Sequence, residues 1–242
     1  MVNAMTVGFK SENDTDEFLK LANLREYGLR PVGDRIYLDI YTCDEPAFFD
    51  SISKFVLKRY AKASVKKYAD KTYRFLSDKE RIIITNAAVT DSFLDNIRPR
   101  LAGIAETCIK ENGILDIEGF IKFRLRWLTE ILFRRTDIVA EDAIAKREYD
   151  ELVEMLRYIL GSSEKKGGII LDFASHGCRI YDLNGIEIDP SNTGHDISEN
   201  DYFVGILAKM APEKIILRNH ECCDKALLMV IKDVFGNSVF FE

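Results

Sequence analysis

Apolar residues along the first third of the chain follow the spacing of alternating strands and helices. Short β-branched and aromatic runs predict two strands, at residues 5–9 and 35–42. A helix is predicted to open near Asp14 and to end at Gly28, because glycine commonly follows the last helical turn. A second helix is expected after Pro46, and its apolar beginning gives way to a strongly basic stretch. These elements predict an N-terminal α/β segment over residues 1–75.

The middle of the chain carries the capping signals of helices. Ser77 and Glu80 form an S-x-x-E capping box, which satisfies free backbone donors at a helix start, so residues 78 to about 92 are predicted to be helical. Pro99 suits the first turn of the next helix, and Gly113 suits its end. We therefore expect a helical bundle in the central part of the protein.

A long amphipathic helix is predicted from Asp116, with a bend near Ala145. On a helical wheel its apolar residues fill a broad arc, and Arg124 and Arg135 fall inside that arc. An arginine on an apolar face needs a partner, since removing one member of a buried pair costs about 3–5 kcal/mol. Residues 136–154 supply seven acidic side chains and two basic ones. We therefore predict a structural polar framework formed by Arg124, Arg135, Asp142, Glu148, Tyr149 and Arg157.

Beyond residue 160 the pattern changes from helix to short strands. The polar stretch GSSEKKGG is typical of a linker. Three strand candidates follow, at 169–174, 179–183 and 186–188, and the Asn184-Gly185 pair predicts a type I′ hairpin turn. A helix, a strand, a helix and a last strand complete the chain, which indicates a small α/β unit with a mixed sheet. We predict an α+β protein with three regions, at residues 1–75, 76–165 and 166–242.

Composition and charge restrict the classes of function. The net charge of −6 argues against a protein that coats nucleic acid. No stretch approaches the roughly 18 to 20 apolar residues that cross a bilayer, and the N-terminus lacks the features of a secretory signal. Five unevenly spaced cysteines favour free thiols in a reducing compartment. We therefore expect a cytoplasmic protein without a transmembrane segment.

The strongest basic feature lies in residues 54–75, which contain eight basic side chains and one acid. This surface is suited to an acidic protein partner, nucleic-acid phosphates or an anionic membrane. The alternative is a solvated helix face close to the acidic residues of the same chain. On a helical wheel one narrow stripe, the predicted binding surface, contains Lys58, Arg59, Lys62 and Lys66.

Histidine and cysteine residues cluster in the last third of the chain. Nitrogen and thiolate ligands bind zinc, but no C-x-x-C pair is present and adjacent cysteines seldom both reach one ion. A cysteine–histidine catalytic pair lacks a visible orienting group. Whether these residues converge is left open by the sequence, and we predict no cofactor, no metal and no catalytic residue. The cluster consists of His176, His195, His220, Cys178, Cys222 and Cys223.

Several short motifs resemble one protein family. The stretch GFIKFRL at 119–125, together with REY at 147–149 and LRY at 156–158, is similar to the GF-x-x-FRL and EY…LLRYF signatures of YtxC-like sporulation proteins of endospore-forming bacteria. The C-terminal stretches at 211–219 and 234–241 also resemble that family. The resemblance implies a sporulation-associated cytoplasmic protein and supplies no catalytic residues.

Three functional hypotheses remain from the sequence. The preferred one is a non-enzymatic protein-binding or regulatory role in sporulation, with another protein as the partner. The first alternative is a nucleic-acid-binding protein that uses residues 54–75. The second is a zinc- or thiol-dependent enzyme built on His220 and its neighbouring cysteines.

Overall fold

The computed structural model describes residues 5–165, 167–174, 177–188 and 199–242. Within them the protein contains eight α-helices and two four-stranded mixed sheets, which confirms the predicted α+β class. The chain divides into two compact units, Met1–Ala143 and Ile144–Glu242. The three regions expected from the sequence remain a prediction about domains.

The sheet of the first unit combines antiparallel and parallel pairing. Strand β1 pairs antiparallel with β3 and parallel with β4, and β2 pairs antiparallel with β3, which gives the order β2-β3-β1-β4. Both strands predicted in this region, β1 and β3, are confirmed. The four strands are β1 (Met5–Phe9), β2 (Glu26–Val32), β3 (Arg35–Thr42) and β4 (Ile114–Asp116).

Six helices begin in the first unit. The capping box is confirmed, because the Glu80 amide donates to Ser77 Oγ at 3.3 Å and the Ser77 amide donates to Glu80 Oε2 at 2.7 Å. These bonds fix the start of the third helix, whose isoleucine run would otherwise suit a strand. The helices are α1 (Glu12–Leu21), α2 (Glu45–Thr72), α3 (Asp78–Ala88), α4 (Asp91–Asn112), α5 (Ile117–Arg124) and α6 (Arg126–Ser162).

Three predicted helix boundaries are wrong. Helix α1 ends at Leu21, and Gly28 lies in the exposed edge strand β2. Pro99 lies inside α4 rather than in its first turn. The break in the long helix falls at Leu125, where φ is −106° and ψ is 23°, whereas α6 runs through Ala145 without interruption. Alanine is the strongest helix former, so its neighbourhood offers no local reason for a bend.

An aromatic cluster forms the centre of the first core. The Phe55 ring of α2 lies 5.6 Å from the ring of Phe9 on β1 and 5.7 Å from that of Phe18 on α1, measured between centroids. Phe48 packs against Phe18 at 6.1 Å. All four side chains are at most 2% exposed. The first two helices are therefore held on one face of the sheet by edge-to-face packing.

The second unit contains a sheet of order β6-β5-β7-β8, in which β5 pairs antiparallel with β6 and parallel with β7. Only an isolated bridge joins Tyr181 to Glu187 in place of the third predicted strand. The turn is not type I′, because Gly185 has a positive φ and Asn184 does not. The elements are β5 (Gly168–Ala174), β6 (Gly177–Asp182), α7 (Glu199–Met210), β7 (Lys214–Arg218), α8 (Lys225–Phe235) and β8 (Val239–Phe241).

A helix must be long and apolar to cross a membrane, and the helices of the described ranges can be compared with this requirement. None of them combines the length and the apolar character that crossing a bilayer requires.

Candidate functional site

The basic stripe of α2 is partly neutralised by the first helix. Lys58 Nζ lies 2.6 Å from Glu17 Oε1, and Arg59 forms an ion pair with Asp14. The hydrogen bond from Lys58 lowers the pKa of Glu17, which keeps that carboxylate charged. The first half of the stripe therefore has its counter-charges within the protein.

The second half of the stripe borders a pocket. Lys62 and Lys66 are exposed, and neither forms an ion pair with any residue that the structure describes. Both line a cavity of about 260 Å³ between α2 and α3, which we call the α2–α3 groove. Its other lining residues are Asp70, Arg81, Ile82, Thr85 and Asn86.

Charge inside the α2–α3 groove is unbalanced. Arg81 Nε lies 3.1 Å from Asp70 Oδ1, and the same guanidinium also pairs with Asp78. Arg81 is thus occupied by acids of its own chain. Within the described part of the chain, the ammonium groups of Lys62 and Lys66 form no ion pair, so the groove attracts anions.

Apolar side chains lie beside these cations. Ile82 is 56% exposed and lines the groove, and the adjacent Ile83 is 62% exposed. Exposed isoleucines next to cations give a mixed surface that suits a protein partner, since interfaces combine an apolar centre with a polar rim. A nucleic-acid phosphate backbone has no apolar groups that would pack against the exposed isoleucines.

Helix α2 presents its lysines because its opposite face is buried. Ala61, Val65 and Ala69 are fully buried, and Lys62 and Lys66 share the other face at a spacing of four residues. The end of the helix is fixed by a stacked pair, in which the Tyr68 and Phe133 rings lie 4.0 Å apart with an interplanar angle of 11°. The sequence pattern thus sets the direction in which the cations point.

A shared carboxylate further anchors this end of α2. The hydroxyls of Tyr68 and Tyr73 both donate to Asp137 Oδ1, at 2.9 and 2.7 Å. Burial and these hydrogen bonds raise the pKa of both phenols, which keeps them protonated as donors. Sequence reasoning did not identify this contact, because its members are more than sixty residues apart.

The predicted polar framework is not brought together around Arg124. Its side chain is exposed, and within the described ranges it forms no ion pair, so the predicted inward orientation is wrong. The helical wheel assumed a continuous helix, whereas the break at Leu125 changes the angular register. Arg135 lies over the Phe93 ring at 5.7 Å, and Asp142 is exposed.

Two residues of the predicted polar framework form hydrogen bonds within the second unit. Tyr149 Oη donates to Asp233 Oδ2 at 2.7 Å, and Arg157 Nε donates to the Asp233 carbonyl at 2.8 Å. These bonds connect the last part of α6 to α8. Glu148 is exposed to solvent. A structural role for the framework as a whole stays a prediction.

Alkaline pH is expected to destabilise the second unit through Tyr149. Burial, followed by the hydrogen bond to Asp233, raises the pKa of Tyr149 from 10.0 to about 12. Above pH 10 the unfolded chain therefore loses this proton while the folded chain retains it, so stability falls as the pH rises from 10 towards 12. Urea midpoints measured at pH 9 and 11 should show a smaller decline for Tyr149→Phe than for the wild type. Equal declines would contradict this assignment.

Four of the six residues in the histidine and cysteine cluster lie within the described residues. His176 and His195 lie outside them, and His220 packs against the Phe241 ring at 5.1 Å. Burial raises the pKa of Cys178 to about 12 and also raises that of Cys223, so neither thiol supplies a thiolate at neutral pH. Across the described ranges, no three histidine, cysteine or acidic side chains form a group that could hold a metal ion.

Comparison with known protein families gives a match over most of the chain. The model of the YtxC-like family matches residues 47–240, which is most of the chain and includes every lining residue of the α2–α3 groove. No curated protein and no solved structure gives a significant match.

Proposed function

The chain belongs to the YtxC-like family, and from that premise we propose that it acts in sporulation as a non-enzymatic cytoplasmic protein that binds an acidic segment of another protein. The α2–α3 groove is the proposed contact surface. Lys62 and Lys66 would pair with carboxylates of the partner, while Ile82 would contact its apolar side chains.

The main support for this proposal is the position of two lysines that form no ion pair within the described residues. Lys62 and Lys66 border a cavity and have no ion pair within the described part of the chain, although Lys58 and Arg59 on the same helix do. Unpaired cations beside exposed apolar side chains favour a partner with complementary charge and some apolar surface. Each exposed pair contributes little alone, about 0.2–1 kcal/mol, so the apolar contacts supply part of the affinity.

Nucleic-acid binding is the second candidate, supported by the basic composition of residues 54–75. It is less favoured because ion pairs to Asp14 and Glu17 occupy half of the stripe. A nucleic-acid footprint requires basic residues gathered on an uncancelled face. The two free lysines of the groove form a much smaller patch.

Charge reversal in the groove is expected to weaken binding of an acidic peptide. We propose measuring the fluorescence anisotropy of a labelled oligoglutamate peptide with the wild type and with the Lys62→Glu/Lys66→Glu variant. The variant should bind about tenfold more weakly, since it replaces two attractive contacts with repulsion. A matched control is Lys67→Glu/Lys71→Glu, which makes the same charge change on exposed positions outside the groove.

Three results would oppose the proposal. Equal losses in the two double variants would show that only overall charge matters. Absence of peptide binding by the wild type would remove the proposed partner class. Salt-sensitive binding of duplex DNA that the groove variant loses, without peptide binding, would favour the nucleic-acid alternative.

A further inference from the structure

Two unpaired guanidinium groups face a second cavity of the first unit. A pocket of about 400 Å³ along α4 is lined by Arg100 and Arg124. Within the described ranges neither arginine forms an ion pair, and the Arg100 guanidinium lies over the Trp127 ring at 4.1 Å from the centroid. Glu111 is the one acidic side chain among the lining residues, so positive charge is in excess.

Another pocket, with both polar and apolar lining residues, adjoins the first one. It has a volume of about 340 Å³ and shares Cys108 and Arg124 with the arginine-lined pocket. Phe120 is buried in its wall, whereas Phe123 is 72% exposed and Ile114 is 42% exposed. We call the two pockets together the Arg124 groove.

Side chains of the Arg124 groove thus combine cationic and apolar contacts. Asp116 also lines the groove, but it pairs with Arg35 and accepts a hydrogen bond from the Gly119 amide. Glu111 is then the acidic lining residue that forms no ion pair within the described ranges. Lys122 Nζ lies 5.1 Å from the centroid of the Phe123 ring, and the side chain is still 72% exposed. Within the described residues, two guanidinium groups without an ion pair thus stand against one such carboxylate, and most of the Phe123 side chain is open to solvent.

We propose that the Arg124 groove binds an extended peptide segment of another protein in which a carboxylate lies next to a large apolar side chain. The carboxylate pairs with Arg124 and Arg100, whose planar guanidinium groups suit bidentate contacts. The apolar side chain lies between Phe123 and Ile114 and removes apolar surface from water. This groove shares no residue with the α2–α3 groove and is a separate site.

The protein carries its own reporter for this interaction. Trp127 is the single tryptophan of the chain, and Arg100 of the groove stacks on it. A carboxylate that attracts the Arg100 guanidinium changes the environment of the indole and hence its fluorescence. A peptide without tryptophan is therefore detected without any label.

The test is a titration of the full chain with a short peptide of alternating aspartate and phenylalanine, monitored by Trp127 emission. We expect a saturable change, weakened about fivefold by Arg124→Gln, which is the loss of one partly exposed charge pair. Phe123→Ala should weaken binding as well. Arg126→Gln is the matched control, because Arg126 is 89% exposed and pairs with Glu130 outside the groove.

Several outcomes would overturn the inference. An equal response to a peptide of alternating lysine and phenylalanine would show that the charge of the ligand is irrelevant. Identical affinities for Arg124→Gln and Arg126→Gln would exclude Arg124 as the contact. Self-association of the wild type that Phe123→Ala abolishes, seen by sedimentation, would instead assign the groove to a second copy of this chain.

Discussion

Replacing Phe55 with alanine is expected to lower the free energy of unfolding by about 3–5 kcal/mol. Phe55 is 1% exposed and contacts Phe9 and Phe18, which lie on a strand and on a different helix. Removing the ring loses its transfer free energy and leaves a cavity that rigid neighbours cannot fill. Urea denaturation monitored by circular dichroism measures this change.

The matched control is Phe123→Ala, which removes the same side chain from a position that is 72% exposed. A substitution of this kind should change the free energy of unfolding by at most about 0.5 kcal/mol. Similar losses at Phe55 and Phe123 would mean that the aromatic cluster does not form the core. A stable Phe123→Ala protein also keeps the peptide titration of the Arg124 groove interpretable.

Asp137→Ala is expected to destabilise the protein by about 2–3 kcal/mol, because two phenol hydroxyls lose their acceptor at once. Tyr68 and Tyr73 both donate to Asp137 Oδ1, and both are only partly exposed. The effect combines two lost hydrogen bonds with the desolvation of the remaining donors. Thermal unfolding of the variant measures the sum.

Asp142→Ala provides the control for Asp137→Ala. Asp142 lies on the same helix, is exposed and forms no hydrogen bond or ion pair within the described residues. Its removal should leave stability almost unchanged. If the Asp137→Ala loss persists in full after Tyr68 and Tyr73 are both changed to phenylalanine, the hydrogen bonds are not its cause.

Both proposed surfaces share one feature, namely a cation that forms no ion pair within the described residues and lies beside exposed apolar side chains. Lys62 and Lys66 meet this description on α2, and Arg124 meets it at the end of α5. Positively charged grooves on a chain of net charge −6 bind selectively, because the remaining surface repels acidic partners. Two separate grooves would allow two segments to bind independently.

Much of the secondary structure follows from local patterns. β-Branched runs identified β1 and β3, and the capping box at Ser77 identified α3. The sequence does not predict strand β2, because this exposed edge strand lacks the alternation of apolar and polar residues that one buried face produces. Strand β4 has only three residues and depends on pairing with β1, which lies more than one hundred positions away.

The sequence by itself determined the class of fold and the faces of its amphipathic helices, since periodicity and caps are properties of neighbouring residues. It placed Lys58, Lys62 and Lys66 on one stripe of α2. Only the tertiary structure decided which of these cations are free, because Glu17 reaches Lys58 through the packing of two helices against a sheet. In the same way, the structure places a helix break at buried Leu125 and leaves Arg124, at the end of α5, exposed. Contacts between distant residues depend on tertiary packing, which local periodicity does not encode.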